Sequence, residues 1–217
     1  MATKHLNLYF LRHGQTALSR DNMFCGCGTD VPLTENGHAM ARQFAEAYKS
    51  TPWRAIYCSP LTRAAQTASY IAQATGQEPI IREALREIAY GDWEGKTVEE
   101  VDAKYHDDYV RWTADPAWNR PTGGGELAVE IADRVMGLVQ EIRSAYEDGN
   151  VLLVAHKATI RVALCQLLGI DVGRFRFRLA CAVAGVSVLE FGDHGPYLKT
   201  LSERSHLSEE LRNLPGT

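Results

Sequence analysis

The sequence has no apolar run that approaches the roughly 18 residues of a membrane-spanning helix. It also lacks an excess of basic residues, since 23 Lys and Arg stand against 27 Asp and Glu for a net charge of −4. A global field that attracts nucleic acid or a membrane surface is therefore excluded, and any anion site must be local. The first residues show no signal-peptide pattern. We expect a cytoplasmic protein with neither a nucleic-acid nor a membrane partner.

The five cysteines are an odd number, and their spacing matches no disulfide framework. Cys25 and Cys27 are separated by one glycine, but no second pair is present to complete a tetrahedral zinc site. Cys58 and Cys165 lie in apolar segments, which is typical of buried thiols. We therefore expect neither a metal ion nor another cofactor.

Strand and helix signals alternate along the 217 residues, 45% of which are hydrophobic. This pattern predicts an α/β fold with a mostly parallel central sheet and helices on both faces. We expect a single domain over residues 1–217 with a small helical lid insertion at about 88–126. The predicted strands are 6–10, 55–58, 79–81, 151–155, 186–191 and 197–201, and the predicted helices are 34–49, 59–75, 97–113, 126–147 and 157–168. Thr34 and Ser59 are the expected N-caps of the first two helices.

Basic and aromatic residues alternate in the segment 174–178, which reads Arg-Phe-Arg-Phe-Arg. Such interleaving occurs in proteins that bind single-stranded nucleic acid. It is also the pattern of a partly exposed strand or loop with an apolar inward face, and we favour that interpretation.

Two histidines lie at the carboxyl ends of predicted buried parallel strands. His13 follows the strand 6–10 after Leu11 and Arg12, and His156 directly follows the strand 151–155. Because the carboxyl ends of parallel strands meet at one edge of a sheet, both imidazoles should emerge there. Arg12 precedes His13, and Arg63 lies in the first turn of the helix after 55–58. Guanidinium groups bind phosphate through paired, charge-assisted hydrogen bonds. The sequence therefore predicts a nucleophilic histidine beside an anion clamp.

These residues belong to a series of motifs that runs through nearly the whole chain. In this order, the motifs resemble those of the histidine phosphatase superfamily, which includes the cofactor-dependent phosphoglycerate mutases. The motifs are Arg12-His13-Gly14 with Thr16, Phe24-Cys25-Gly26, 32–37, 59–64, Glu87 before 90–95, Gly125-Glu126 and Val154-Ala155-His156.

The resemblance implies a role for each catalytic residue. His13 attacks phosphorus, becomes phosphorylated and is later hydrolysed, while Arg12, Arg63 and His156 hold the phosphoryl oxygens. Flanking arginines lower the pKa of a histidine, which keeps the nucleophile neutral. Glu87 corresponds to the proton donor of the family. Other acids compete with it for that role, namely Glu83, Glu94 and Glu126.

Two positions depart from the common pattern of the family. Ser19 stands where asparagine is frequent, and Lys157 stands where glycine often follows the second histidine. Because a cation at a helix N-terminus opposes the helix dipole, we expect Lys157 to face the pocket mouth and to favour a substrate with a second negative group. The candidate substrate contacts are Ser19, Cys25, Gly26, Tyr90, Trp93 and Lys157.

The segment between Glu87 and Gly125-Glu126 is short, as it is in the phosphatases of the family, whereas the mutases carry a longer insertion. We therefore predict a phosphatase whose partner is a small phosphate ester. Phosphoserine, α-ribazole phosphate and a sugar phosphate stay open as substrates, and so does a homodimer. The alternatives are a cofactor-dependent phosphoglycerate mutase and a non-catalytic phosphate-binding or regulatory protein.

Overall fold

Six strands form one central sheet in the computed structural model, which describes residues 5–216. In chain order they are β1 (Leu6–Arg12), β2 (Trp53–Cys58), β3 (Ile80–Ile81), β4 (Gly149–Ala155), β5 (Val186–Gly192) and β6 (Gly195–Glu203). They lie side by side in the order β3-β2-β4-β1-β5-β6. The first four are parallel to one another, while β5 pairs antiparallel with β1 and β6 with β5. The predicted mostly parallel α/β sheet is confirmed.

Both faces of the sheet are covered because the central strands are apolar on both sides. Along β4, Val151 and Leu153 pack into a core with the helices 128–145 and 157–167. Leu152 and Val154 pack into a second core with the helices 35–48 and 62–75. Successive side chains of a strand point to opposite faces, so one continuous apolar run supplies both cores. The helices are α1 (Ala17–Arg20), α2 (Glu35–Tyr48), α3 (Thr62–Thr75), α4 (Val98–Ala114), α5 (Ala128–Ala145), α6 (Lys157–Leu167), α7 (Phe175–Arg178) and α8 (Glu209–Arg212).

The starts of the helices show where local sequence is sufficient. Thr34 caps α2 as predicted, since its Oγ1 accepts a hydrogen bond from the Gly37 amide at 3.1 Å. The predicted start of the next helix at Ser59 is wrong. Helix α3 begins at Thr62 with Leu61 as its N-cap residue. Ser59 instead directly follows β2, and its hydroxyl forms a hydrogen bond with His156 Nε2 at 2.7 Å.

The segment 174–178 is a second correction. It is not a strand or loop, because α7 continues a short 3₁₀ helix, Val172–Arg174, that follows α6. Phe175 is buried beneath this turn, while Phe177 and Arg178 are exposed. The helical turn brings residues of this basic and aromatic segment to the edge of the sheet that carries the site.

An aromatic cluster anchors the segment that was predicted to form a lid. Trp93 and Trp112 are both fully buried, with ring centroids 5.3 Å apart. The ring centroid of Phe24, from the loop after α1, lies 5.5 Å from that of Trp93 and 6.0 Å from that of Trp112. These contacts bind residues 91–114 to the main body of the protein. The division into one domain with a lid at 88–126 stays a prediction.

Replacing Trp93 with alanine is expected to lower the free energy of unfolding by about 3–5 kcal/mol, because it leaves a cavity within the aromatic cluster. Denaturant unfolding measures this change. The matched control is Trp118→Ala, because the side chain of Trp118 is 72% exposed and its loss should change stability little. Equal losses from the two variants would contradict the packing role.

Candidate active site

The parallel pairing of β1 with β4 brings the two predicted histidines together. Arg12 is in register with Ala155, so the next residue on each strand, His13 and His156, emerges at the same edge. The His13 amide donates to the Ala155 carbonyl at 3.0 Å, and the two imidazole centroids are 5.1 Å apart. The carboxyl edge of the sheet is therefore the place where these side chains meet, as expected for an open α/β sheet.

Hydrogen bonding defines which nitrogen of His13 is free. Its Nδ1 lies 2.7 Å from the carbonyl oxygen of Gly14, which only accepts hydrogen bonds. Nδ1 therefore carries the hydrogen, and Nε2 keeps its lone pair. Burial, and the charges of Arg63 and Arg12, hold the pKa of His13 well below its usual value. The imidazole is thus neutral, with an unprotonated nitrogen at Nε2.

His156 is held between two partners. Arg63 Nε donates to its Nδ1 at 3.2 Å, so the ring hydrogen lies on Nε2, which donates to Ser59 Oγ at 2.7 Å. Burial and the neighbouring Arg63 and His13 hold the pKa of His156 well below its usual value. The role of Ser59 was missed by the sequence analysis, which assigned its hydroxyl to a helix cap.

The two arginines differ in how they are placed. Arg12 lines the pocket, with Nη1 donating to the Cys181 carbonyl at 2.7 Å and a buried Nε that has no hydrogen-bond partner among residues 5–216. Arg63 is fully buried and donates to the backbone carbonyls of Gly26 and Thr29, both at 3.0 Å. Arg12 therefore offers donors to a bound anion, while Arg63 contributes positive charge from behind the imidazoles.

The carboxylate of Glu87 is fixed by the start of α6. Its Oε2 accepts from the Ala158 amide at 3.1 Å, and its Oε1 accepts from the amides of Thr159 at 3.1 Å and Ile88 at 3.0 Å. The first amides of a helix have no intrahelical partner and suit an acidic group. Glu87 is buried yet lines the same pocket as His13.

The competing acids lie outside this pocket. Glu126 forms buried ion pairs with Arg86 at 3.1 Å and Arg134 at 2.9 Å. Glu94 accepts hydrogen bonds from loop amides, including that of Gly26 at 2.9 Å. Within the described part of the chain, Glu87 is the one carboxylate that lines the pocket.

The pocket encloses about 300 Å³, at the lower end of the range for small-molecule sites. Of the predicted substrate contacts, Ser19, Cys25, Tyr90 and Lys157 line it. Burial raises the pKa of the Cys25 thiol to about 11, so this side chain is a neutral thiol.

Trp93 and Gly26 do not line the pocket, which corrects their prediction as substrate contacts. Trp93 is fully buried in the aromatic cluster, where its Nε1 donates to Thr122 Oγ1 at 3.2 Å. A side chain at Gly26 would collide with the Ile88 carbonyl oxygen, because an added Cβ would lie 2.3 Å from it. Both residues shape the loop behind the site.

Two cations of the pocket were missed by the sequence analysis, Arg161 and Arg176. Arg161 lies four residues after Lys157 on α6, so the spacing alone indicates that both side chains share one face. The position of Arg176 had no such signal, since it depends on the helical turn of α7.

Across residues 5–216, no group of three or more His, Cys, Asp or Glu side chains is arranged to hold a metal ion. No helix in this range is long and apolar enough to cross a membrane. The five cysteines are free thiols.

The sequence profile of the histidine phosphatase superfamily (branch 1) matches residues 8–204. The chain belongs to this superfamily. The family resemblance of its motifs is thereby confirmed.

Individual relatives of this histidine phosphatase carry several names. Phosphoserine phosphatase 1 of Hydrogenobacter thermophilus is 32% identical over 204 residues, covering 94% of this chain and 95% of the relative. A 2,3-bisphosphoglycerate-dependent phosphoglycerate mutase 2 of Gloeobacter violaceus is 38% identical over 164 residues, or 74% of each chain. The solved structure of a mycobacterial glucosyl-3-phosphoglycerate phosphatase has a TM-score of 0.82 at 28% identity, covering 92% of this chain and 99% of that one.

The neutral buried histidines of this histidine phosphatase should make its stability depend on pH. In the unfolded chain, His13 and His156 take up protons near pH 6.5, whereas their lowered native pKa values prevent this in the folded protein. Their contribution is fully present above about pH 6.5 and is lost as the pH falls, by up to about 1.4 kcal/mol per pH unit for each histidine. Urea unfolding from about pH 8 to pH 5 measures the slope, which His13→Gln should reduce. An unchanged slope in this variant would contradict the assignment.

Proposed function

We propose that this protein is a metal-independent phosphatase that hydrolyses a small phosphomonoester through a phosphohistidine on Nε2 of His13. The general activity, phosphoric monoester hydrolysis, follows from the family and from relatives that are named phosphatases. The observation that carries the mechanism is the hydrogen bond from His13 Nδ1 to the Gly14 carbonyl, which leaves Nε2 as the nucleophilic nitrogen beside Arg12.

In the first step, Nε2 of His13 attacks phosphorus, the N–P bond forms and the bond between phosphorus and the ester oxygen breaks. Glu87 gives its carboxyl proton to the departing alkoxide. Arg12 and the charge of Arg63 stabilise the negative charge on the equatorial oxygens of the transferring group. For His156 to donate Nε2–H to one of these oxygens, its hydrogen bond to Ser59 must be exchanged for one to the substrate.

In the second step, water attacks the phosphohistidine, and the N–P bond breaks. The Glu87 carboxylate takes a proton from this water, inorganic phosphate is released, and the lone pair returns to Nε2 of His13. Because Glu87 is held by three backbone amides, the same carboxyl group is in place for both proton transfers. Each cycle therefore restores the starting protonation states.

The names of the relatives support a small phosphomonoester as substrate, with phosphoserine and glucosyl-3-phosphoglycerate among those that the relatives' names contain. α-Ribazole phosphate and a sugar phosphate belong to the same predicted class. A cytoplasmic location and a homodimer stay predictions.

A phosphoglycerate mutase is the second candidate, because the relative with that name is 38% identical to this chain. The two functions differ in the fate of the phosphoryl group. A phosphatase passes it to water and releases inorganic phosphate, whereas a mutase returns it to a hydroxyl group of the product. Quantifying inorganic phosphate against isomerised ester therefore decides between them.

Hydrolysis of phosphate esters in the presence of EDTA should be retained by the wild type and lost in His13→Ala. Acid-labile, base-stable phosphate on the wild-type protein, located by mass spectrometry, should map to His13. The control is His106→Ala, which removes an exposed histidine of α4. Equal turnover by wild type and His13→Ala, or a strict requirement for magnesium, would overturn the mechanism.

The variant Glu87→Gln should lower kcat/KM for an alkyl phosphate by roughly 10²–10⁴-fold, because the leaving alkoxide needs a proton. We compare kcat/KM because it reports formation of the phosphohistidine and excludes its later hydrolysis, in which Glu87 also acts. The loss should be much smaller for para-nitrophenyl phosphate, whose leaving phenolate is stable without one. Glu83→Gln is the control, since Glu83 is exposed four residues earlier. Equal losses on both esters would exclude Glu87 as the proton donor.

A further inference from the structure

The pocket holds more positive charge than the transferring phosphoryl group requires. Besides Arg12, it is lined by Lys157, Arg161 and Arg176, while Glu87 is its one carboxylate among the described residues. None of these four cations forms an ion pair with a carboxylate within residues 5–216. Since Arg12 and the charge of Arg63 already serve a phosphate dianion, three cations are left without a counter-charge.

The first two of these cations lie where a helix disfavours them. Lys157 and Arg161 occupy positions i and i+4 of α6, where like charges repel. Lys157 is also the first residue of the helix, where a positive charge opposes the dipole. Burial and the neighbouring Arg12 and Arg161 lower the pKa of Lys157 to about 8. A bound anion relieves both forms of repulsion.

Hydrogen-bond donors of this cluster are also unused. The Nε of Arg161 is buried and has no hydrogen-bond partner among residues 5–216. A buried donor without a partner destabilises the protein unless a ligand supplies an acceptor. The Nε of Arg12 is also buried without a hydrogen-bond partner in this range, and only 3% of the surface of Arg12 is exposed.

Arg176 is the third cation, and α7 presents it as a rigid donor. Its guanidinium lies 4.2 Å from the ring centroid of Trp112, and its Nη1 donates to Thr113 Oγ1 at 3.0 Å. Stacking on an aromatic ring and a fixed hydrogen bond pre-organise the planar group. The remaining N–H groups are free for a carboxylate or phosphate.

We infer that Lys157, Arg161 and Arg176 form a second anion subsite, which selects phosphomonoesters whose alcohol part carries an anionic group and no ammonium group. This inference rests on the proposed phosphatase function and narrows its substrate class. An ammonium group would meet three cations, and the one carboxylate of the pocket, Glu87, is engaged in proton transfer. The subsite therefore attracts esters that carry a second anionic group and repels esters that carry an ammonium group.

Four esters of matched size test the ranking by release of inorganic phosphate. Glycerol 3-phosphate has no further charge, 3-phosphoglycerate adds a carboxylate, phosphoserine adds a carboxylate and an ammonium, and phosphoethanolamine has an ammonium alone. We expect kcat/KM to be about tenfold higher for 3-phosphoglycerate than for glycerol 3-phosphate or phosphoserine, and lowest for phosphoethanolamine. Equal values, or phosphoserine as the best substrate, would overturn the inference.

Three variants that keep a long, unbranched side chain assign the effect to the subsite. Lys157→Met and Arg161→Met should each raise KM for 3-phosphoglycerate about tenfold and leave glycerol 3-phosphate within about twofold. Lys157→Arg should keep the preference. The matched control is Arg178→Met, because Arg178 is an exposed cation of α7 outside the pocket lining. Equal losses on both esters would show a structural role and overturn the subsite.

The two proposals fail in different ways. If the wild type hydrolyses none of the four esters nor para-nitrophenyl phosphate, the phosphatase function itself is wrong. If it hydrolyses them with a flat ranking, the function stands and the second anion subsite is excluded. If the preference for 3-phosphoglycerate is electrostatic, it should also weaken as ionic strength rises.

Discussion

The site depends on the parallel pairing of β1 with β4. This ladder continues one residue past β1, where the His13 amide donates to the Ala155 carbonyl. Because side chains alternate along a strand, a slip of one residue would turn the apolar side chains of β1 to the opposite face. The apolar cores on both faces of the sheet therefore hold the register, and the register places His13 against His156.

The same edge of the sheet concentrates positive charge, and the protein neutralises little of it with carboxylates. Arg63 is fully buried, and its hydrogen bonds go to the carbonyls of Gly26 and Thr29 and to His156. The carboxylate of Asp30 lies farther away, 3.9 Å from Nη1, and is exposed. Neutral acceptors satisfy the guanidinium without cancelling its charge. That charge lowers the pKa of His13 and stays available to an anion.

The sequence predicted those features that depend on local pattern or on the general rules of parallel sheets. The apolar run 151–155 is β4, Thr34 caps α2, and the residues after β1 and β4 meet at one edge. The failures involve tertiary contacts. Serine is a common N-cap residue, but the hydroxyl of Ser59 accepts a hydrogen bond from His156, whose position follows from the sheet. Trp93 was predicted as a substrate contact because it lies in the motif 90–95, but it is buried against Trp112, and this contact depends on how α4 packs.

Charged residues on helices were the least predictable part of the site, because their default position is in solvent. Arg161 becomes a pocket residue since α6 begins at the sheet edge and faces the site with its first turns. The same turns donate the Ala158 and Thr159 amides to Glu87. One helix therefore fixes Glu87, the proposed proton donor, and two of the cations that line the pocket. Since Ile160 and most other apolar residues of α6 are buried in the core, packing resists movement of this helix. Any shift that moves its cations therefore also moves the amides that hold Glu87.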